Sequence, residues 1–263
     1  MLIGDTGIKI MATLLIKYKI NKKEHYGILN DDKINELKGS VFGNYETLDK
    51  TVLLSDVEVL PPSSPTKIIA LGYNYKDLVG YNSSYKEPII FLKPPSSLIP
   101  NKGTIKRPRG EEKVWVEVEL AIIIKKKCKN ISAEEAKNYI LGFTIGNDVT
   151  TENIHGRDHH LARSKALDTF CSLGPNIAID LDTKDLKMKT RINGQIFQDS
   201  STKNRIINDT QSVSLISKFM TLYPGDIIMT GTPANAESSL IQSGDVVELE
   251  IENIGTLTNL VSY

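Results

Sequence analysis

The sequence predicts a mainly β protein of mixed α/β type, with a small N-terminal unit ahead of a larger main domain. Three observations carry this. Short, turn-bounded runs rich in Val, Ile, Phe and Tyr recur along the chain. One of them, "KVWVEVELAIIIK" (113–125), alternates and then turns wholly apolar, and "MKTRINGQIFQ" (188–198) sets Asn193-Gly194 between two alternating runs. β-Branched and aromatic residues fit a pleated, half-buried surface. Asn-Gly supplies the positive φ angles that a two-residue hairpin turn requires.

Residues 13 to 60 give strands and turns in "TLLIKYKI", "HYGILN" and "VEVL". The proline- and serine-rich "PPSSP" (61–65) then marks a boundary, dividing the chain into 1–65 and 66–263. From Lys67 onward "KIIALG", "PIIFLK", "VWVEVELAIII", "LGFTIGND", "NIAIDL", "DIIMTGTP" and "DVVELEIENI" all read as strands. Two helices are expected. Ser132 with Glu135 forms a capping box that opens "SAEEAKNYIL" (132–141). Asp209 is expected to cap "TQSVSLISKFMTL" (210–222), where Val213, Ile216 and Met220 recur at helical spacing before Pro224-Gly225 ends it.

The totals narrow the function classes. Among 263 residues, 40% are hydrophobic and 24% charged, as in an ordinary globular protein. The 32 basic and 32 acidic residues are interspersed, which argues against nucleic acid or an anionic membrane as main partner. No apolar run approaches the roughly 20 residues of a membrane-spanning helix. The first residues lack the pattern of a secretory signal, and Met11 stands just before the first strand-like run, so 1–10 read as a dispensable leader. Cys128 and Cys171 are too few for a disulfide framework or a four-Cys zinc site, and a cytoplasmic location is expected.

In 113–125 the strand period puts Trp115, Glu117, Glu119 and Ala121 on one face, and Val116, Val118, Leu120 and Ile122 on the other. Two carboxylates side by side on a buried face repel each other and lose hydration, so they need compensation. Salt bridges to Lys or Arg would serve, and so would a divalent cation. A further strand, "GFTIGND" (142–148), ends at Asn147-Asp148 and supplies a third hard oxygen ligand. Three carboxylates without Cys or His suit Mg²⁺, Mn²⁺ or Ca²⁺ better than zinc.

At these residues the chain resembles the fumarylacetoacetate hydrolase family, over roughly residues 66 to 261. The matching pieces stand in the family's order. "ALGYNYKD" (70–77) resembles its Gly-x-Asn-Tyr segment, and "EPIIFLKPPSSL" (87–98) its Phe-x-Lys-Pro strand. "VEVELAIII" carries the Glu-x-Glu and "GNDVT" (146–150) the Asp. "SKALDTFCSLGP" (164–175) is similar to the Lys-x-x-Asp-Thr-Phe and Leu-Gly-Pro segment, and "INGQIFQ" to the Asn-Gly-Glu hairpin. "LYPGDIIMTGTPA" (222–234) resembles the Pro-Gly-Asp-x-Ile-x-Thr-Gly-Thr-Pro motif. The resemblance implies a rolled, mixed β-sandwich main domain, a small N-terminal domain and a homodimer. It implies Mg²⁺ or Mn²⁺ on Glu117, Glu119 and Asp148, and a small 2-oxo or 1,3-dioxo acid substrate whose ketone the metal polarises.

Departures from the family pattern bear on the reaction. Family hydrolases activate water with a His and a nearby Glu, and here Leu78 and Tyr81 stand at those positions. Leucine accepts no proton. The Arg and Gln that follow the metal Asp become Glu152 and His155. Lys165 keeps the position of the family's active-site lysine, and the resemblance makes it both a substrate contact and a catalytic group. His155 falls at a substrate-contact position and is a candidate base near neutrality. Thr232 reads equally as a carboxylate contact or a turn threonine. "HGRDHHLARSK" (155–165) reads otherwise as a solvated loop, and Cys128 as incidental.

C–C hydrolysis, decarboxylation and keto–enol isomerisation all pass through an enolate, but only hydrolysis needs activated water. Loss of the His–Glu pair therefore shifts weight toward the other two reactions. The alternative is a catalytically weak or silent protein that binds a keto acid and a metal.

Overall fold

The computed structural model describes residues 12–78, 87–110, 113–153 and 156–263. Strands hold just under half of these residues and helices few, the mainly β composition expected. One large mixed sheet has Thr13–Ile20, Cys171–Ile179, Ile140–Asp148, Val118–Ile124, Ile227–Met229, Ile68–Gly72 and Ile89–Lys93 side by side in that order. Beyond Thr13–Ile20 it continues through the antiparallel strands Lys23–Asn30, Lys33–Gly39 and Tyr45–Leu53. Ile227–Met229 runs parallel to Ile68–Gly72, whereas Val118–Ile124 is antiparallel to both its neighbours. A second sheet is built from Gln195–Ser201, Lys187–Ile192, Val246–Ile251, Gly255–Ser262 and Thr104–Lys106.

The two sheets face each other across one apolar core. Val118, Leu120, Ile122 and Ile124 of the large sheet share it with Met188, Ile192, Val247, Leu249 and Leu257 of the second. Ala121 and Ile123 point the other way, into a separate cluster with Leu15, Ala70, Phe91, Ile177 and Met229. That two-sided burial explains why alternation ceases in "AIII": a strand covered on both faces has no polar side to keep.

Asn193 (φ 51°) and Gly194 (φ 81°) close the hairpin between Lys187–Ile192 and Gln195–Ser201, as their sequence predicts. Ser132 and Glu135 bond reciprocally as expected, but the α-helix is one turn, Ala133–Ala136, followed by a 3₁₀ turn at Lys137–Tyr139. Ile140 and Leu141 belong instead to the strand Ile140–Asp148, where pairing with the buried Val118–Ile124 outweighs local helix preference. In the longer helix, Asp209–Phe219, the cap is Asn208 with Gln211 rather than Asp209. Asp209 turns inward to the buried Arg205 guanidinium, Nη1 to Oδ1 2.5 Å, and to the Thr183 hydroxyl. No helix among the described residues is long and apolar enough to cross a membrane.

Candidate metal centre and active-site cleft

The run 113–125 is not one strand. Val114–Trp115 pairs with Thr150–Thr151, Val118–Ile124 pairs with Ile140–Asp148, and the chain steps between partners at Val116-Glu117. Val116 N donates to Ser239 O, and Glu117 N to the Asn147 side chain. The step places Glu117 beside Asp148, whose amide donates to Glu117 O at 3.1 Å. Glu119 lies one period further along the strand, opposite Gly146, where a Cβ would meet the Met229 side chain at 2.9 Å.

Glu117, Glu119 and Asp148 are all buried, and each offers an oxygen within 4.8 Å of the others. Among the described residues this is the group of His, Cys, Asp and Glu side chains that could hold a metal ion. The Lys165 ammonium sits among them, 2.5 Å from Asp148 Oδ2, 3.1 Å from Glu117 Oε2 and 2.8 Å from Thr150 Oγ1. Lys93, with a fully buried side chain, reaches Asp148 Oδ1 at 2.5 Å and also donates to the Lys165 carbonyl. Trp115 Nε1 donates to Glu117 Oε1 at 2.8 Å, and the Gly231 amide to Glu119 Oε2 at 2.7 Å.

Three carboxylates thus face two ammonium groups. Burial, followed by the neighbouring Asp148 and Glu117 charges, pushes the Glu119 carboxyl well above its ordinary range. Burial likewise raises Glu117, with Lys165 opposing and Asp148 adding to the shift. Asp148 suffers the same desolvation, yet Lys165 and Lys93 hold its carboxyl below the usual value. Desolvation disfavours the Lys165 cation, but Asp148 and Glu117 more than reverse this, so its proton is held more tightly than in an ordinary lysine. The donor set and its residual negative charge fit a hard divalent cation, which would relieve the repulsion at Glu119.

Local sequence explains how Lys165 gets there. Its helix, Ala162–Lys165, is one turn long and opens from Leu161 at φ 57°. Asp158 anchors that turn by accepting the amides of Ala162, Arg163 and Ser164 and the Ser164 hydroxyl. The stretch that reads as a solvated loop is therefore an anchored turn on its Asp158 side. His159 and His160 are exposed, and His155 lies outside the described residues.

A cleft of about 580 Å³ opens over the three carboxylates. Lys165, Thr150 and Thr232 line its floor. Thr232 is oriented by the buried Gln198. Its Nε2 donates to Thr232 Oγ1 at 3.1 Å and to Pro233 O, while Oε1 accepts from Val118 N and Thr190. Because Thr232 Oγ1 accepts there, its own proton is free to donate into the cleft. Leu78 also lines the cleft; Tyr81 lies outside the described residues. Lys93, Asp158, Gln198 and Gly231 escape sequence reasoning as site residues. Lys93 and Gly231 stand inside motifs that were legible, but their partners are 55 and 112 residues away.

Residues 67–262 match the family profile described as fumarylacetoacetate (FAA) hydrolase, C-terminal. The chain belongs to the fumarylacetoacetate hydrolase family. Residues 15–62 match a second profile, Rv2993c-like, N-terminal. Protein MJ1656 of Methanocaldococcus jannaschii is 50% identical over 199 residues, covering 75% of this chain and 83% of its own. The mitochondrial oxaloacetate tautomerase Fahd2a of Rattus norvegicus is 37% identical over 213 residues, 76% of this chain and 68% of that one. The crystal structure of 5-carboxymethyl-2-hydroxymuconate delta-isomerase from Mycobacterium smegmatis superposes with a TM-score of 0.86 at 37% identity, covering 95% and 99% of the two chains.

Proposed function

We propose that this family member is a Mg²⁺- or Mn²⁺-dependent isomerase that interconverts the enol and keto forms of a small 2-oxo acid. The observation that carries this is the pairing of Lys165 with a water-activating position occupied by Leu78. The described cleft holds one tightly protonated ammonium beside three carboxylates, and no described histidine lines it. Moving a proton at the carbon next to a ketone needs a charge stabiliser and a proton carrier, whereas hydrolysis also needs a base for water. An isomerase and a tautomerase among the relatives support the choice.

Glu117, Glu119 and Asp148 would hold the cation, with Ca²⁺ able to occupy the same oxygen set. When bound, it supplies Lewis acidity toward a 2-oxo group. Thr232 Oγ1, held by Gln198, donates its free proton to the substrate carboxylate. Lys165 Nζ, protonated in the resting site, stabilises negative charge on the substrate oxygen and gives a proton to C3 as the base takes one from the enol hydroxyl, so the conversion is proton-neutral. Phe91, 5.1 Å from Lys165 Nζ to its ring centroid, covers the ammonium's side of the cleft. His155 remains the candidate base on the strength of the sequence.

The test follows exchange of the C3 hydrogens of 2-oxo acids in deuterated water by nuclear magnetic resonance, with Mg²⁺, Mn²⁺ or chelator. Metal-dependent exchange above the solution rate is expected. Cleavage of acylpyruvates without such exchange would assign hydrolysis instead, and inertness in both assays would assign a binding protein. A cytoplasmic homodimer belongs to the same reading, the location resting on the two-cysteine content and the dimer on the family resemblance. Sedimentation giving only monomer at micromolar concentration would remove the dimer.

A further inference from the structure

The wall of the cleft differs from its floor. Apart from the short polar side chains of Thr151, Asn153 and Ser164 and the charged residues of the rim, its described lining away from the carboxylates is apolar: Leu78, Ile89, Leu161 and Leu240, with Tyr73 and Trp115. Three of these, Tyr73, Ile89 and Leu240, are among the few large apolar side chains left substantially exposed, at 49%, 48% and 43%. Tyr73 is also held at φ 61°, a conformation that a bulky residue seldom adopts and that tends to persist at ligand sites.

The charges at the rim point the same way. Glu152 and Glu237 line the mouth, and Lys113, the described basic residue there besides Lys165, is 3.0 Å from Glu152. A second carboxylate at the far end of a substrate would meet hydrocarbon, the Glu237 carboxylate and an ammonium already engaged by Glu152. A methyl-terminated chain would cover the exposed side chains.

We propose that this site selects 2-oxo acids with an uncharged, apolar tail over dicarboxylic acids of the same length. The inference rests on the reading of the floor as a 2-oxo acid site, and goes beyond it in naming the tail. The volume, mid-range for small-molecule sites, leaves room for such a tail beyond the 2-oxo acid head.

The matched pair 2-oxohexanoate and 2-oxoadipate differs only in a terminal methyl against a terminal carboxylate. Calorimetry on the full chain with Mn²⁺ should show tighter binding of 2-oxohexanoate by about 10-fold or more, the usual scale for an apolar contact against a misplaced polar group. Leu240→Arg should narrow or invert that ratio, and at 43% exposure the position accommodates the longer side chain in solvent. Equal or tighter binding of 2-oxoadipate by the natural sequence, or no binding of either acid, overturns the inference. C3 exchange measured on whichever acid binds tests the isomerase reading separately. A dicarboxylate that binds better and exchanges would sink the tail preference alone.

Discussion

Lys93 Nζ lies 2.5 Å from Asp148 Oδ1, with neither side chain meaningfully exposed. The same ammonium donates to the carbonyl of Lys165, so one buried cation fixes both a candidate metal ligand and the residue that carries the candidate proton donor. Removing one partner of a buried pair costs up to about 3–5 kcal/mol where the other charge is left uncompensated, and Asp148 keeps Lys165 at 2.5 Å, which puts Lys93 at the lower end of that scale. Lys93→Met should therefore lower stability on that scale in denaturant titrations. It should also weaken Mn²⁺ binding, because Asp148 loses one of its two ammonium anchors. A variant with native stability and native metal affinity would show that the contact organises nothing.

Glu119 is the carboxylate whose described partner is a single backbone amide. Replacing it with Gln leaves an acceptor for Gly231 N and removes a negative charge that Asp148 and Glu117 repel. Two effects of opposite sign should follow. Without metal, Glu119→Gln should be at least as stable as the parent, since a buried charge has gone. With metal, calorimetry should show Mn²⁺ affinity lower by about 10-fold or more, because a hard cation loses an anionic ligand. Parent-like Mn²⁺ affinity would sink the assignment of these three carboxylates.

A pH effect follows from Tyr18. It is fully buried, its hydroxyl has no protein partner among the described residues, and burial followed by the Glu36 charge pushes its pKa up to about 12. The unfolded reference is about 10. The folded chain therefore holds this proton more tightly. Its contribution is complete below about pH 10 and is lost as pH climbs from there through about 12, by an amount on the order of 2–3 kcal/mol. Tyr18→Phe removes a buried polar group, so it should raise neutral-pH stability by about 1 kcal/mol and flatten the alkaline decline in urea midpoints. An unchanged decline would place its cause elsewhere, with the similarly raised Tyr26 next in line.

What could be read from the sequence follows from range. The Asn193-Gly194 turn, the Ser132–Glu135 box and the two-faced burial of Ala121–Ile124 are local signals, and the structure carries each of them. Glu117 and Glu119 were conspicuous because paired acids in an apolar run conflict with burial. Lys93 was not, since a lysine closing a strand looks like any solvated strand end until the fold brings Asp148 to it. The longer helix is legible in its spacing but its cap is not: Asn208 and Asp209 are both good caps, and the buried Arg205 decides between them. The step at Val116-Glu117 depends on Thr150–Thr151, which no local pattern around residue 115 announces.

Lys165 carries the sharpest prediction for activity. Its ammonium touches Asp148, Glu117 and Thr150, and the two carboxylates keep it protonated. Lys165→Met removes the charge while keeping a stem of comparable length, so packing against Phe91 should survive. If Lys165 stabilises the developing negative charge or donates the proton, kcat for C3 exchange should fall by ~10²-fold or more. If it only balances the carboxylates, the added metal would replace that role and kcat would change little. Lys165→Arg separates these further. It preserves positive charge but gives up a proton far less readily, so it should retain binding of the 2-oxo acid while still losing exchange. Parent-like exchange in both variants would remove Lys165 from the chemistry and turn attention to His155.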